Sequence, residues 1–129
     1  MPHLVIQYSA NLDQQSDMSV LCRILADVIA SRSIFPLGGI RVRAYPTSHY
    51  AIADVHSDNA FADMTFRIAI GRSEAQKTDI GKALMIAAEA HFAPQLKTPH
   101  FALSLEVIDI SAAFSWKTNS IHPRLKGQA

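Results

Sequence analysis

Hydrophobic and polar positions alternate with two different periods along the chain, and the changes of period mark out its elements. Pro2-His3-Leu4-Val5-Ile6-Gln7-Tyr8 is a short, apolar, β-branched run, which predicts a buried strand at the very start. Ser9 to Ser16 is polar and turn-like. Met18, Leu21, Leu25, Val28 and Ile29 then recur at spacings of three and four, predicting an amphipathic helix over about residues 14 to 32. Phe35-Pro36-Leu37-Gly38-Gly39 breaks it. Ile40-Arg41-Val42-Arg43-Ala44-Tyr45 alternates strictly, so it reads as a strand with Arg41 and Arg43 on one face. Pro46 cannot donate to a ladder, which places that strand at an edge or a bulge. His49 to Val55 reads as an extra short strand.

A second series follows the same order. Phe61 to Ile70 reads as a strand and Gly71-Arg72-Ser73 ends it. Ser73-Glu74-Ala75-Gln76 has the spacing of a capping box, opening a helix to about Phe92 with Ile80, Leu84, Ala87 and Ala88 on one face. Pro94 and Pro99 stop it. Phe101 to Ile110 is a strongly apolar last strand. The order is therefore β-α-β twice, with units at about residues 2–55 and 60–112 and an irregular tail at 113–129, all in one domain spanning 1–129. Strand–helix–strand units favour parallel pairing with right-handed crossovers. The expected fold is an α+β two-layer sandwich, a four-stranded mixed sheet with both helices on one face. The last strand reads as apolar on both faces, so the open side of the sheet calls for a partner copy.

Composition narrows the function classes. With 49% hydrophobic and 18% charged residues in 129, the chain is globular. A formal net charge of +1 supplies no field for nucleic acid. The single Cys22 excludes an internal disulfide framework. No signal-peptide pattern and no apolar run of the roughly 18 residues a membrane span needs are present. A cytoplasmic protein with no membrane partner is expected.

The candidate chemistry starts at the terminus. Methionine before proline is normally trimmed, which would leave Pro2 with a secondary amine, both a base and a nucleophile. A chain-terminal amine ordinarily titrates near ~7.7–8.0. Burial and neighbouring cations lower that value, and a neutral amine in a dry pocket is a good general base. Arg41, Arg43 and Arg72 are the available cations. Arg72 sits at the mouth of the second helix, and arginine forks bind carboxylates in bidentate fashion. A small anionic substrate fits them; so do solvated or salt-bridged structural roles. His3, His49, His56, His91, His100 and His122 are scattered without metal-ligand spacing, and no metal or cofactor is expected. His3 reads as structural, Cys22 as a packed thiol, and Phe114 and Trp116 as closing a pocket or, in preference, packing between subunits. Gly38-Gly39 precedes a strand rather than a helix, unlike a phosphate loop.

Three segments carry a resemblance over about residues 2 to 126: Met1-Pro2-His3, Ile34-Phe35-Pro36-Leu37-Gly38-Gly39-Ile40-Arg41-Val42-Arg43, and Gly71-Arg72-Ser73. The chain resembles the tautomerase superfamily and, within it, the 5-carboxymethyl-2-hydroxymuconate Δ-isomerases. The resemblance implies a tautomerase/MIF-like fold, a homotrimer and a cofactor-independent isomerase of aromatic-compound catabolism. It implies Pro2 as the base and Arg41 and Arg72 as substrate-handling arginines, with Arg43 a further candidate. A tautomerase for another 2-oxo acid, or a trimeric binding or structural protein of the same fold, are the alternatives.

Overall fold

The computed structural model describes residues 1–127. Strands β1 (His3–Ser9), β2 (Arg41–Thr47), β3 (Ala60–Ala69) and β4 (Phe101–Ile110) form one sheet in the spatial order β2-β1-β3-β4. β1 pairs with β2 and β3 with β4 in parallel, while β1 and β3 meet antiparallel at the centre. Parallel neighbours need a crossover, supplied by α1 (Met18–Ala30) in the first unit and α2 (Glu74–His91) in the second. The two units therefore run in opposite directions, and the strand starts of one lie beside the strand ends of the other. Short helices α3 (Ala93–Leu96) and α4 (Ile121–Lys126) follow α2 and β4.

Alternation divides the sheet. Leu4 and Ile6 of β1 and Ala62, Met64, Phe66 and Ile68 of β3 are buried together with Leu21, Leu25 and Ile29 of α1 and Ile80, Leu84 and Ala88 of α2. Fully burying one such large side chain is worth about 1.5–3 kcal/mol. Phe35, from the turn before β2, meets Phe66 edge-on at 5.6 Å, so the turn is anchored in the core shared by both units. Both helices start on side-chain caps. Asp17 accepts from the Val20 amide at 3.1 Å. Ser73 and Gln76 form the expected reciprocal box at 3.1 and 2.9 Å.

The structure corrects three expectations. Residues 49–55 form turns, not a strand: Ala53 and Val55 are left-handed, with φ of 51° and 63°, which extended pairing does not allow. Asn59 fastens that loop by donating to the Ile52 carbonyl at 3.1 Å and the Asp54 carboxylate at 2.8 Å. β4 is not apolar on both faces. Leu103, Leu105 and Val107 face the core, while the open side carries Ala102, Ser104 and Glu106 before Ile108 and Ile110. The tail is partly regular, since it contains α4. Pro46 lies in edge strand β2, where a missing donor is tolerated.

Candidate active site

The antiparallel centre gathers five elements at one end of the sheet: the starts of β1 and β2, the end of β3, the turn into α2, and the tail after β4. His3 is paired with Arg41 on one side and Arg67 on the other. The Arg41 amide donates to the Pro2 carbonyl at 3.0 Å, so the ladder continues past β1 and fixes the chain's start. A cavity of about 390 Å³ opens here, walled by Met1, His3, Arg67, Ile110, Trp116 and Lys117. That volume suits a small ligand.

Pro2 is buried directly behind Met1. A Cβ at Gly39 would stand 3.4 Å from Pro2 Cδ and 3.5 Å from Met1 Cα, ordinary contact distances, so the turn before β2 packs directly against the chain's start. Arg41 is folded back on that turn, donating from Nη1 to the Gly38 and Ile40 carbonyls at 3.0 and 3.1 Å; its Nη2 faces Met1 Sδ at 3.9 Å. Arg72 donates to the Ala69 and Ile34 carbonyls at 3.2 and 2.9 Å, with its guanidinium 5.1 Å above the Phe35 ring. Arg43 Nη1 donates to His3 Nδ1 at 3.0 Å. Arginine only donates, so the His3 ring proton sits on Nε2.

The tail is fastened to the same turn. Asn119 Nδ2 donates to the Gly38 carbonyl at 2.9 Å, and its Oδ1 accepts from the Ile121 and His122 amides at 2.8 and 3.2 Å. A Cβ at Gly38 would strike His122 Nδ1 at 2.6 Å and its Cα at 3.1 Å. This docking carries Lys117 and Trp116 to the cavity.

The electrostatics are one-sided. The salt bridges among the described residues, Arg32–Asp79 at 3.0 Å and Lys77–Asp109 at 2.9 Å, involve none of Arg41, Arg43, Arg67, Arg72 and Lys117. The Met1 amine is held below its ordinary value of 8.0, first by burial, then by Lys117, Arg72 and Arg41. His3 is held below 6.5, first by burial, then by Arg67 and Arg43. A cavity surrounded by arginine and lysine and walled by no carboxylate favours an anion.

Pro2, Arg41, Arg43 and Arg72 therefore converge at one end, although with Met1 in place none is on the cavity wall. His3 is on it. Trp116 is also there, 85% exposed, while Phe114 is 80% exposed within one chain. Arg67 and Lys117 were not singled out from sequence. Alternation along β3 puts Arg67 on the open face, but only the antiparallel register brings it to His3; the irregular tail gave no signal for Lys117. Cys22 is half-buried against the core, and burial raises its thiol pKa.

At the opposite end of the sheet, ligand atoms of His56, Asp58 and His100 lie within 4.8 Å of one another. The two imidazoles stack at 4.3 Å with 25° between planes, so their in-plane lone pairs run side by side instead of converging. His56 Nδ1 already accepts the Asp58 amide at 3.1 Å. This is the geometry of a loop clasp, not a metal site.

Comparison with known proteins agrees with the geometry. The sequence profile of the family described as 5-carboxymethyl-2-hydroxymuconate isomerase matches residues 2–125. An Escherichia coli 5-carboxymethyl-2-hydroxymuconate Delta-isomerase is 31% identical over 126 residues, spanning 98% of this chain and 100% of its own. The crystal structure of a 5-carboxymethyl-2-hydroxymuconate isomerase from Deinococcus radiodurans R1 superposes with a TM-score of 0.91 at 40% identity, covering 96% of this chain and 93% of that one. A fused 4-OT solved as a symmetric trimer shares the fold at a TM-score of 0.67 and 18% identity, covering 90% and 93%. The chain is an isomerase and belongs to the 5-carboxymethyl-2-hydroxymuconate isomerase family.

Proposed function

We propose that this enzyme ketonises 5-carboxymethyl-2-hydroxymuconate, or a closely similar unsaturated 2-hydroxy di- or tricarboxylate, using Pro2 as the base. The carrying observation is the cavity at the chain's start, surrounded by cations with no acid among its walls. While Met1 is attached, the Pro2 nitrogen belongs to a peptide bond and has no basicity. Met1 lines the cavity, so its removal leaves the Pro2 amine facing that space. The Met1 sulfur also stands before Arg41 Nη2 and takes an Asn119 Nδ2 contact at 3.3 Å. Its departure uncovers both donors.

The cations that lower the Met1 amine act on a Pro2 amine as well, favouring the neutral, basic form. Neutral Pro2 takes the 2-hydroxyl proton of the dienol. The O–H bond breaks, the C2–O bond becomes a carbonyl, the double bonds shift by one position, and the proton returns from Pro2 to C5. Charge on the 2-oxygen grows during the transfer. One of Arg41 and Arg72 stabilises it while the other holds the adjacent carboxylate. Arg43 acts through His3, whose tautomer it fixes. No cofactor enters these steps.

The half-covered sheet and the trimeric fold relative support a homotrimer. A cytoplasmic role in aromatic-compound catabolism follows from the family's substrate, and no helix among the described residues is long and apolar enough to cross a membrane. The test is an ultraviolet assay of 2-hydroxymuconate-type dienols with the wild type, Pro2→Ala and Arg72→Ala, after mass spectrometry of the purified terminus. Loss of a general base lowers kcat by about 100-fold or more. Full activity in both variants, or in protein that retains Met1, removes this mechanism.

A further inference from the structure

We propose that His3, Arg67 and Lys117 form a second anion subsite, which binds the substrate carboxylate remote from the 2-hydroxy group and selects for substrates that carry one. The inference rests on the isomerase reading above and adds a recognition element to it.

Three observations support it. First, these side chains share the cavity wall, yet come from the start of β1, the end of β3 and the tail. His3 and Arg67 are cross-strand partners on the open face, and the Asn119 clasp on Gly38 delivers Lys117. Second, their polar heads are not committed elsewhere. Arg41 and Arg72 each spend two donors on main-chain carbonyls. Arg67 makes no hydrogen bond or salt bridge among the described residues, and the Lys117 ammonium stands beside the Met1 amine. A half-buried guanidinium without an acceptor carries an unrelieved desolvation cost, which an incoming carboxylate removes. Third, His3 completes the donor set without adding charge. Arg43 holds Nδ1 as an acceptor, so Nε2–H is the donor.

The arrangement separates two duties. Arg41 and Arg72 lie beside the terminus, where the reacting 2-hydroxy acid end belongs. Lys117 stands at the Met1 amine, and Arg67 with His3 continues the cavity wall along β3 and β1, where a distal carboxylate of a conjugated diacid would reach. A dienol lacking that carboxylate leaves both cations unpaired and is disfavoured.

The test compares two dienols with the same reacting end, 2-hydroxymuconate and 2-hydroxy-2,4-pentadienoate, which lacks the remote carboxylate. Arg67→Met and Lys117→Met should each lower the selectivity for 2-hydroxymuconate, taken as the ratio of kcat/KM values, by about 10- to 100-fold through KM rather than kcat. Arg67→Lys should restore part of it. An unchanged ratio overturns the subsite. Should neither dienol turn over, calorimetry with cis,cis-muconate, an unreactive diacid, decides independently. Binding weakened by Arg67→Met but kept by Pro2→Ala supports the subsite even as the base assignment fails; equal binding by wild type and Arg67→Met refutes it.

Discussion

The two ends of the sheet are built alike and hold different chemistry. At one end the starts of β1 and β2 meet the ends of β3 and β4; at the other, the starts of β3 and β4 meet the ends of β1 and β2. The first end gathers arginines, a lysine and the terminus around a cavity. The second gathers Asn59, His56 and His100, whose polar atoms satisfy one another: Asn59 Oδ1 meets His100 Nδ1 at 3.0 Å, and the imidazoles stack. The scaffold offers two equivalent positions, and they differ in which one is left unsatisfied. A cluster whose donors have acceptors closes a loop. A cluster of cations without acids waits for an anion.

If the two units are halves of one body, damage to their shared core must show as one event. Phe66→Ala removes a fully buried ring that meets Phe35 of the other unit. It should destabilise the protein by about 3–5 kcal/mol, in a single thermal transition. Two separate transitions would mean that each unit has its own core. The next effect separates a site arginine from a scaffold arginine. Arg72→Lys loses the planar fork that bonds two carbonyls and lies over Phe35, and kcat/KM should fall about 10- to 100-fold. Arg32→Lys, in a surface pair with Asp79, should leave kcat/KM and the thermal midpoint unchanged. Equal losses in the two variants would erase the distinction. Gly38→Ala drives a methyl into His122, and overpacking of this kind costs about 1–3 kcal/mol. The tail should lift, changing Trp116 fluorescence and exposing residues after 111 to protease, while the histidine end is unaffected.

How much of this was legible depends on the range of the interaction that decides each feature. Both long helices, the capping box at Ser73 and the four strands follow from local period and cap chemistry. The parallel pairs β1–β2 and β3–β4 follow from crossover rules, whereas the antiparallel join of β1 to β3 does not. Residues 49–55 were misread because His49-Tyr50-Ala51-Ile52 has strand composition, while the outcome was decided by left-handed Ala53 and Val55 and by Asn59, whose bonds reach back along the loop. Pro2, Arg41 and Arg72 are proposed from motifs that mark them in the sequence. Arg67 and Lys117 carry no such mark: one depends on the register between β1 and β3, the other on a tail docked through Asn119 and His122. Pairing across the sheet carries no signature in either strand alone.

The smallest effect tests the contrast most directly. His3 at the cationic end and His91 near the other both titrate below the ordinary 6.5, and burial is the first cause for each. Their second causes have opposite sign: Arg67 and Arg43 push His3 further down, whereas Asp17 draws His91 up. A histidine with a depressed folded pKa binds fewer protons in the native state, so the stability linked to it is present above pH 6.5 and is lost as pH falls through the lowered value. Both histidines contribute to acid sensitivity in that window. Added salt screens charges but leaves burial in place. NMR titration at low and high ionic strength should therefore show the His3 pKa moving up toward 6.5 with salt, while His91 stays or moves slightly down. A diacid in the cavity should raise His3 alone, because the anion offsets the arginines beside it. If salt moves both histidines upward together, the two ends do not differ in field, and the cationic cavity loses its electrostatic basis.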